Sequence, residues 1–357
     1  MKQFSSGLVV GKFCPLHRGH ERVIRRALEL CAQVTVISYT QPEFPGCEPE
    51  KREQWLAARF PQTQRLVVTQ KRLTEFTLTA SASPLILPQN DDSDFTHRLF
   101  VARLCAEVLH QRVDAVFTSE DYGDGFAAEL TRLFHSWQWG GGPVYHHRVD
   151  VHREAVPISG TALRQDPHAG KAYLAPEVYA SFVERIALLG GESSGKSTLA
   201  ALLAERLGTE YASEYGRERW VKKEGRLEFS DLLHIAETQC AREDMLAGQS
   251  HRYLLCDTTP LTTLFYSQHL FSRVDPQLQT LAKRPYTHTF LCLRDFPFVQ
   301  DGTRADTAFA DHQEQWYRHE LSTRGTSYVA LGGNLLSRIE TVLQTIAGKT
   351  TRLHPAP

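Results

Sequence analysis

The chain has 357 residues, 41% of them hydrophobic and 23% charged, with a formal net charge of -1. That length gives room for two domains, each able to bury its own core. The balanced charge lacks the Lys and Arg excess of a protein that grips a nucleic-acid backbone, and no apolar run approaches the ~20 residues that span a bilayer. The seven cysteines form neither a C-x-x-C pair nor a His/Cys cluster at zinc spacing.

The N-terminus runs almost directly into an apolar strand, without the charged region, apolar core and cleavage site of a secretory signal. The cytoplasm is the expected address, with reduced and mostly buried thiols. Strand Gly7 to Val10 is followed by a helix from Glu21 to Cys31 that sets Val23, Ile24, Ala27 and Leu28 on one face, then by strand Val34 to Ile37. Arg65 to Val68 and Ala115 to Phe117 read as further strands, and Phe95 to His110 and Tyr122 to Phe134 as helices. Ala80 to Asp94, rich in Ser, Pro, Asn and Asp, reads as a long loop. Gln165 to Glu184 carries Pro167, Gly170 and Pro176 and suits a connector better than a core element.

A second series opens with strand Ile186 to Leu189 and continues through helices Lys196 to Leu207 and Asp231 to Ala247. Strands Tyr253 to Cys256, Thr289 to Leu293 and Ser327 to Leu331 follow, and a helix near Leu335 to Ile346 closes it. Alternation of strand and helix periods predicts α/β architecture with two doubly wound parallel-sheet domains, residues 1–183 and 184–357.

Each domain carries a phosphate-handling turn between its first strand and first helix. In the first, Gly11-Lys12-Phe13-Cys14-Pro15-Leu16-His17-Arg18-Gly19-His20 puts glycines where a phosphate must approach backbone, and two imidazoles where charge develops on a leaving pyrophosphate. Lys12 is near enough in sequence to add a cation. In the second, Gly190-Gly191-Glu192-Ser193-Ser194-Gly195-Lys196-Ser197, continued by Thr198, follows a strand and opens an amphipathic helix, the context that identifies a phosphate-binding loop. Its amides would cradle phosphates, Lys196 would reach the β and γ groups, and Ser197 would bind Mg²⁺.

Further along, Asp257 ends a strand where such folds place the carboxylate that completes the Mg²⁺ shell or orients the attacking hydroxyl; a helix cap is the competing role. Glu214, Tyr215 and Arg217 lie where a small-molecule kinase meets its substrate, with Glu214 a candidate to bind or deprotonate a ribose hydroxyl. Asp301-Gly-Thr-Arg304 suits a lid over the γ-phosphate, with Asp301 toward substrate and Arg304 toward phosphate. Trp55, Trp137 and Trp139 are candidates to stack on a flat ring, with core packing the commoner role for such residues.

The first motif resembles the signature of the nucleotidyltransferase superfamily that joins ATP to a phosphate-bearing acceptor. That resemblance implies a Rossmann-like fold and a partner motif I-S-x-T-x-x-R, which Ile158-Ser159-Gly160-Thr161-Ala162-Leu163-Arg164 supplies. Arg164 would then clamp the ATP phosphates, with Ser159 and Thr161 capping the helix and donating to the same oxygens. With a P-loop kinase following, and with segments Glu50 to Leu56, Thr118 to Gly123 and Glu214 to Arg217, the chain resembles the NadR-type bifunctional proteins of NAD synthesis over nearly its whole length.

The resemblance implies a kinase that makes nicotinamide mononucleotide (NMN) from nicotinamide riboside and ATP, and an adenylyltransferase that converts NMN to NAD, with Mg²⁺ as cofactor. Some members also carry an N-terminal helix-turn-helix; the nucleotidyltransferase strand here begins by Gly7, so neither that domain nor binding to nucleic acid is expected. The Ala80 to Asp94 and Phe298 to Gln300 segments depart from the family pattern. Two rival readings keep the motifs: another phosphorylated acceptor, or a nucleotide sensor without catalysis. The sequence leaves a homo-oligomer open.

Overall fold

The computed structural model describes residues 2–80, 84–119, 122–150, 154–295 and 307–350. It divides into two compact units, Met1–Ser181 and Phe182–Pro357. Unit 1 contains β1 (Phe4–Gly11), α1 (Arg18–Leu30), β2 (Cys31–Ser38), α2 (Pro49–Arg59), β3 (Gln64–Val67), α3 (Gln70–Ala80) and α4 (Asp94–Arg103), which runs into a π-helical turn at Leu104–Val108. It is completed by β4 (Ala115–Thr118), α5 (Gly123–Ser136), β5 (Tyr145–Arg148), α6 (Gly160–Gln165) and α7 (Pro176–Tyr179). All strand pairs are parallel, in the order β3-β2-β1-β4-β5.

Unit 2 contains β6 (Glu184–Leu189), α8 (Lys196–Leu207), β7 (Tyr211–Ala212), α9 (Tyr215–Lys222), α10 (Phe229–Gln249), β8 (Tyr253–Asp257) and α11 (Pro260–Phe271). Then come α12 (Pro276–Leu281), β9 (His288–Cys292), α13 (Thr307–Thr323), β10 (Val329–Leu331) and α14 (Leu335–Thr350). This sheet is also parallel, in the order β10-β9-β6-β8-β7. The first strand of each unit is central, so Leu8 and Val9, and Ile186 to Leu189, are buried on both faces and read as apolar runs rather than alternations. Helix α1 buries Val23, Ile24 and Ala27, and α8 buries Leu199, Ala200, Leu203 and Ala204; each large apolar side chain so buried contributes roughly 1.5–3 kcal/mol.

The sheet order reverses beside β1 in one unit and beside β6 in the other. Open parallel sheets bind ligands at such switch points, beyond the carboxyl ends of the strands. Both phosphate motifs occupy that position.

The described residues 84–93, between the end of α3 and the start of α4, form a loop as expected, and it is a packed one: Leu85 and Leu87 enter the core, and Asn90 Oδ1 accepts from Thr40 Oγ1 at 2.9 Å. The connector Gln165 to Glu184 is likewise packed, with Leu174, Ala175, Val178 and Tyr179 buried. Its helical turns are too short to show a periodicity, yet each delivers apolar side chains inward.

Candidate active sites

In unit 1 the first motif carries the chain from the end of β1 to the start of α1. His17 is the N-cap of α1, its Nδ1 accepting the N–H of Gly19 at 3.1 Å. A ring nitrogen that accepts bears no proton, so the neutral imidazole carries its proton on Nε2 and is a donor there. His17 is buried and stacked on His20, centroids 3.7 Å apart, and His20 in turn meets Phe13 edge-on at 5.0 Å. Gly19 leaves room for this packing: a Cβ there would lie 2.9 Å from His17 Cε1 and 3.0 Å from Nδ1, so the ring would have to shift.

The partner motif closes on the same turn. Ser159 caps α6, its Oγ accepting from Ala162 N at 3.1 Å. Arg164 donates to Cys14 O at 2.6 Å and to Thr161 Oγ1 at 2.9 Å, and its guanidinium lies 4.0 Å from the centroid of the Phe44 ring. A cleft of about 520 Å³ results, lined by Gly11, Lys12, Phe13, His17, Gly19 and His20 on one side and by Ser159, Thr161 and Arg164 on the other. It offers helix-terminal N–H groups, imidazoles and a guanidinium to an anion.

In unit 2 the P-loop joins β6 to α8. Gly190 and Gly195 have φ of +141° and +80°, and a Cβ on Gly190 would come 2.4 Å from Cys292 O, so both positions demand glycine. Ser193 also has a left-handed φ, +61°, and its Oγ is buried with no hydrogen-bond partner among the described residues. Lys196 Nζ donates to Gly190 O and Gly191 O, each at 2.9 Å. Ser193, Ser194, Gly195, Lys196, Ser197 and Thr198 line a cleft of about 410 Å³ together with Glu214 and Arg217. Burial pushes the Glu214 carboxyl up, against the opposing pull of Lys196, with Asp257 pushing the same way as burial. Arg217 Nε sits 3.7 Å from Glu214 Oε2.

Asp257 lies beneath this cleft rather than on its surface: it is 2% exposed, and its Oδ1 has no hydrogen-bond partner among the described residues. Tyr215 is a correction to the expected substrate contacts. It does not line the cleft; its hydroxyl meets His234 Nε2 at 3.1 Å and its ring takes the Arg242 guanidinium at 5.2 Å. As the first residue of α9 it projects away, while Gly216 and Arg217 take the cleft face. Asp301 and Arg304 lie outside the described residues, as do Phe298 to Gln300.

A family model for an AAA domain matches residues 185–338. The trifunctional NAD biosynthesis/regulator protein NadR of Escherichia coli is 28% identical over 86% of this chain and 73% of its own length, and that of Salmonella typhimurium 27% identical over 85% and 72%. The chain is a relative of NadR. A NadR crystal structure in complex with NAD and AMP-PNP has the same fold, with a TM-score of 0.66 and 17% identity over 100% of this chain and 99% of that one. A second, in complex with NR, gives 0.65 and 17% over 96% and 95%. The architecture is thus that of the NadR structures, two parallel-sheet α/β units, with the AAA-domain match falling within the second.

Of the three tryptophans weighed as ring-stacking partners in this NadR relative, none lines either cleft. Trp55 is buried and donates to Ser181 Oγ at 2.9 Å; Trp137 and Trp139 pack on the unit 1 core, Trp139 stacked on Phe134. The aromatic rings lining the second cleft among the described residues are instead Trp220, Tyr266, His269 and Phe309. Trp220 shares a helical face with Gly216 and Arg217, a spacing visible in the sequence. Other residues were not legible locally. Arg52, 0% exposed, donates to Ser38 Oγ at 2.8 Å, and Ser38 donates to Lys12 O at 3.1 Å, bracing the first motif from below. Tyr266 donates to Glu192 Oε1 at 2.9 Å and Gln313 Oε1 accepts from Glu192 N at 3.1 Å, holding the P-loop tip. At the rim of the first cleft, Thr118 Oγ1 is 2.8 Å from His146 Nε2, and His146 Nδ1 is 2.7 Å from Asp124.

Proposed function

We propose that this chain is a two-site cytoplasmic enzyme of NAD salvage, with unit 2 phosphorylating nicotinamide riboside from ATP and unit 1 adenylylating the resulting NMN from a second ATP. The observation that carries the reading is the separate convergence of the two phosphate motifs, each with its charged partners, in two clefts of a NadR relative.

In unit 2 the riboside hydroxyl oxygen attacks the γ-phosphorus, the bond from that phosphorus to the β–γ bridging oxygen breaks, and ADP leaves. Glu214, the carboxylate facing Lys196 in the cleft, accepts the hydroxyl proton, and the raised affinity that burial gives it for protons suits it to this task. Lys196 and the amides of Gly195 to Thr198 hold the phosphates. Ser197 at the start of α8 and Asp257, whose buried Oδ1 has no hydrogen-bond partner among the described residues, fit a magnesium ion and would hold it. Such an ion supplies neutralising charge at the β- and γ-phosphates. Trp220 offers the pyridine ring an aromatic face.

In unit 1 a phosphate oxygen of NMN attacks the α-phosphorus of ATP and pyrophosphate departs, with no covalent enzyme intermediate. His17 Nε2–H, His20 and Arg164 line the cleft where the departing charge must be met. The test is a coupled assay: riboside and Mg²⁺-ATP should yield NMN and then NAD, with nicotinic acid mononucleotide offered in a parallel arm. Absence of any dinucleotide from either mononucleotide would end the pyridine assignment.

A further inference from the structure

Arg338 of α14 is 1% exposed, one of the largest wholly buried side chains, and belongs to none of the motifs. Its Nε donates to Gly333 O at 3.0 Å, Nη1 to Ser194 O at 2.8 Å and Nη2 to Leu293 O at 2.8 Å. Nη2 also pairs with a carboxylate oxygen of Asp295, whose other oxygen accepts the N–H of Gly333. A guanidinium withdrawn from water is costly unless its charge and donors are met, and here one carboxylate and three carbonyls meet them. An apolar side chain of similar length would fill the same space without that cost. The group is therefore placed for what it holds.

What it holds is the P-loop. The peptide between Ser194 and Gly195 is trans, so its C=O and N–H point in opposite directions. Fixing the Ser194 carbonyl on Arg338 turns the Gly195 N–H the other way, to the side where Ser193, Gly195 and Lys196 line the cleft. The same cation polarises that peptide, which strengthens the N–H as a donor to an anion. Through Leu293 and Asp295 the fork also ties the loop to the chain leaving β9.

We infer that Arg338 is a positioning residue for phosphoryl transfer: it presets the Gly195 amide toward the ATP phosphates from behind the loop, touching no substrate itself. This rests on the kinase reading above. On the full chain, Arg338→Lys keeps a charge and most of the packing but loses the fork geometry. Its kcat for riboside phosphorylation should fall at least about tenfold, as for loss of a preorganised anion donor, with a raised KM for ATP and an unchanged KM for riboside. Adenylylation of supplied NMN by the same molecules should stay at the wild-type rate, and added guanidinium ion should restore part of the phosphorylation lost in Arg338→Ala. Wild-type kcat and KM for ATP in Arg338→Lys, or a loss of activity that only follows unfolding of unit 2 in both variants, would overturn the inference. Wild-type protein that phosphorylates no riboside would count against the kinase reading instead. Arg338 would then be judged by AMP-PNP affinity in an Arg164→Ala background, expected to weaken about tenfold in Arg338→Lys; an unchanged affinity would overturn it.

Discussion

Gly19→Ala separates the geometry of the first site from its stability. Gly19 is the second residue of α1, with helical backbone that alanine adopts more readily than glycine; the exchange is worth up to roughly 1 kcal/mol in favour of the variant. The new methyl, however, would sit 2.9 Å from His17 Cε1 where ordinary contact begins at 3.4 Å, so the imidazole must retreat by about 0.5 Å. That ring is stacked on His20 and held by the very N–H of Gly19, so the retreat disturbs both histidines and the tautomer-fixing bond. Misplacing a catalytic group by 1 Å costs on the order of 100-fold, and half that shift about tenfold. Pyrophosphate release from ATP and NMN should therefore show kcat lowered about tenfold, with an unfolding temperature equal to or above wild type. Riboside phosphorylation by the other unit serves as the internal control. An unchanged adenylylation kcat, or a loss explained by a lower unfolding temperature, would refute the argument.

Glu214→Gln should lower riboside phosphorylation at least about 100-fold, and the residual rate should lack the acid limb of the pH profile. Because burial raises the Glu214 carboxyl, wild-type kcat/KM should climb with pH through a midpoint above the ordinary carboxylate range, and a midpoint at or below that range would exclude Glu214 as the proton acceptor. Glu243 provides a stability test away from either cleft. It is wholly buried on α10, held by Arg284 and Tyr286, and burial lifts it to about 7. A folded-state value above the unfolded one means that its contribution is complete below pH 4.5 and is lost as pH rises through about 7. Relative to Glu243→Gln, the wild type should lose unfolding free energy across that window at up to roughly 1.4 kcal/mol per pH unit, and a difference independent of pH would contradict the assignment.

The features legible in the sequence were those whose physics is local. A P-loop announces itself because Gly190 and Gly195 must adopt backbone angles that other residues avoid, and His17 and Gly19 lie close enough in sequence to form their hydrogen bond within one turn. The central strands show as apolar runs because both of their faces are covered. Edge strand β5, Tyr-His-His-Arg, carries no such pattern and goes unseen. The braces behind the motifs were equally hidden: Arg52 reaches the first turn through Ser38, and Arg338 reaches Ser194 from 144 positions away, while neither differs in sequence context from a solvated arginine. Tyr215 misled because adjacency to Glu214 says nothing about which face of α9 a side chain takes.

The central claim is that one chain holds two independent ATP sites acting in order, and the most direct measurement is product analysis of two single substitutions supplied with riboside and Mg²⁺-ATP. Lys196→Ala should form no NMN yet still convert added NMN to NAD, whereas His20→Ala should accumulate NMN with little NAD. Loss of both activities from either substitution alone would contradict the account.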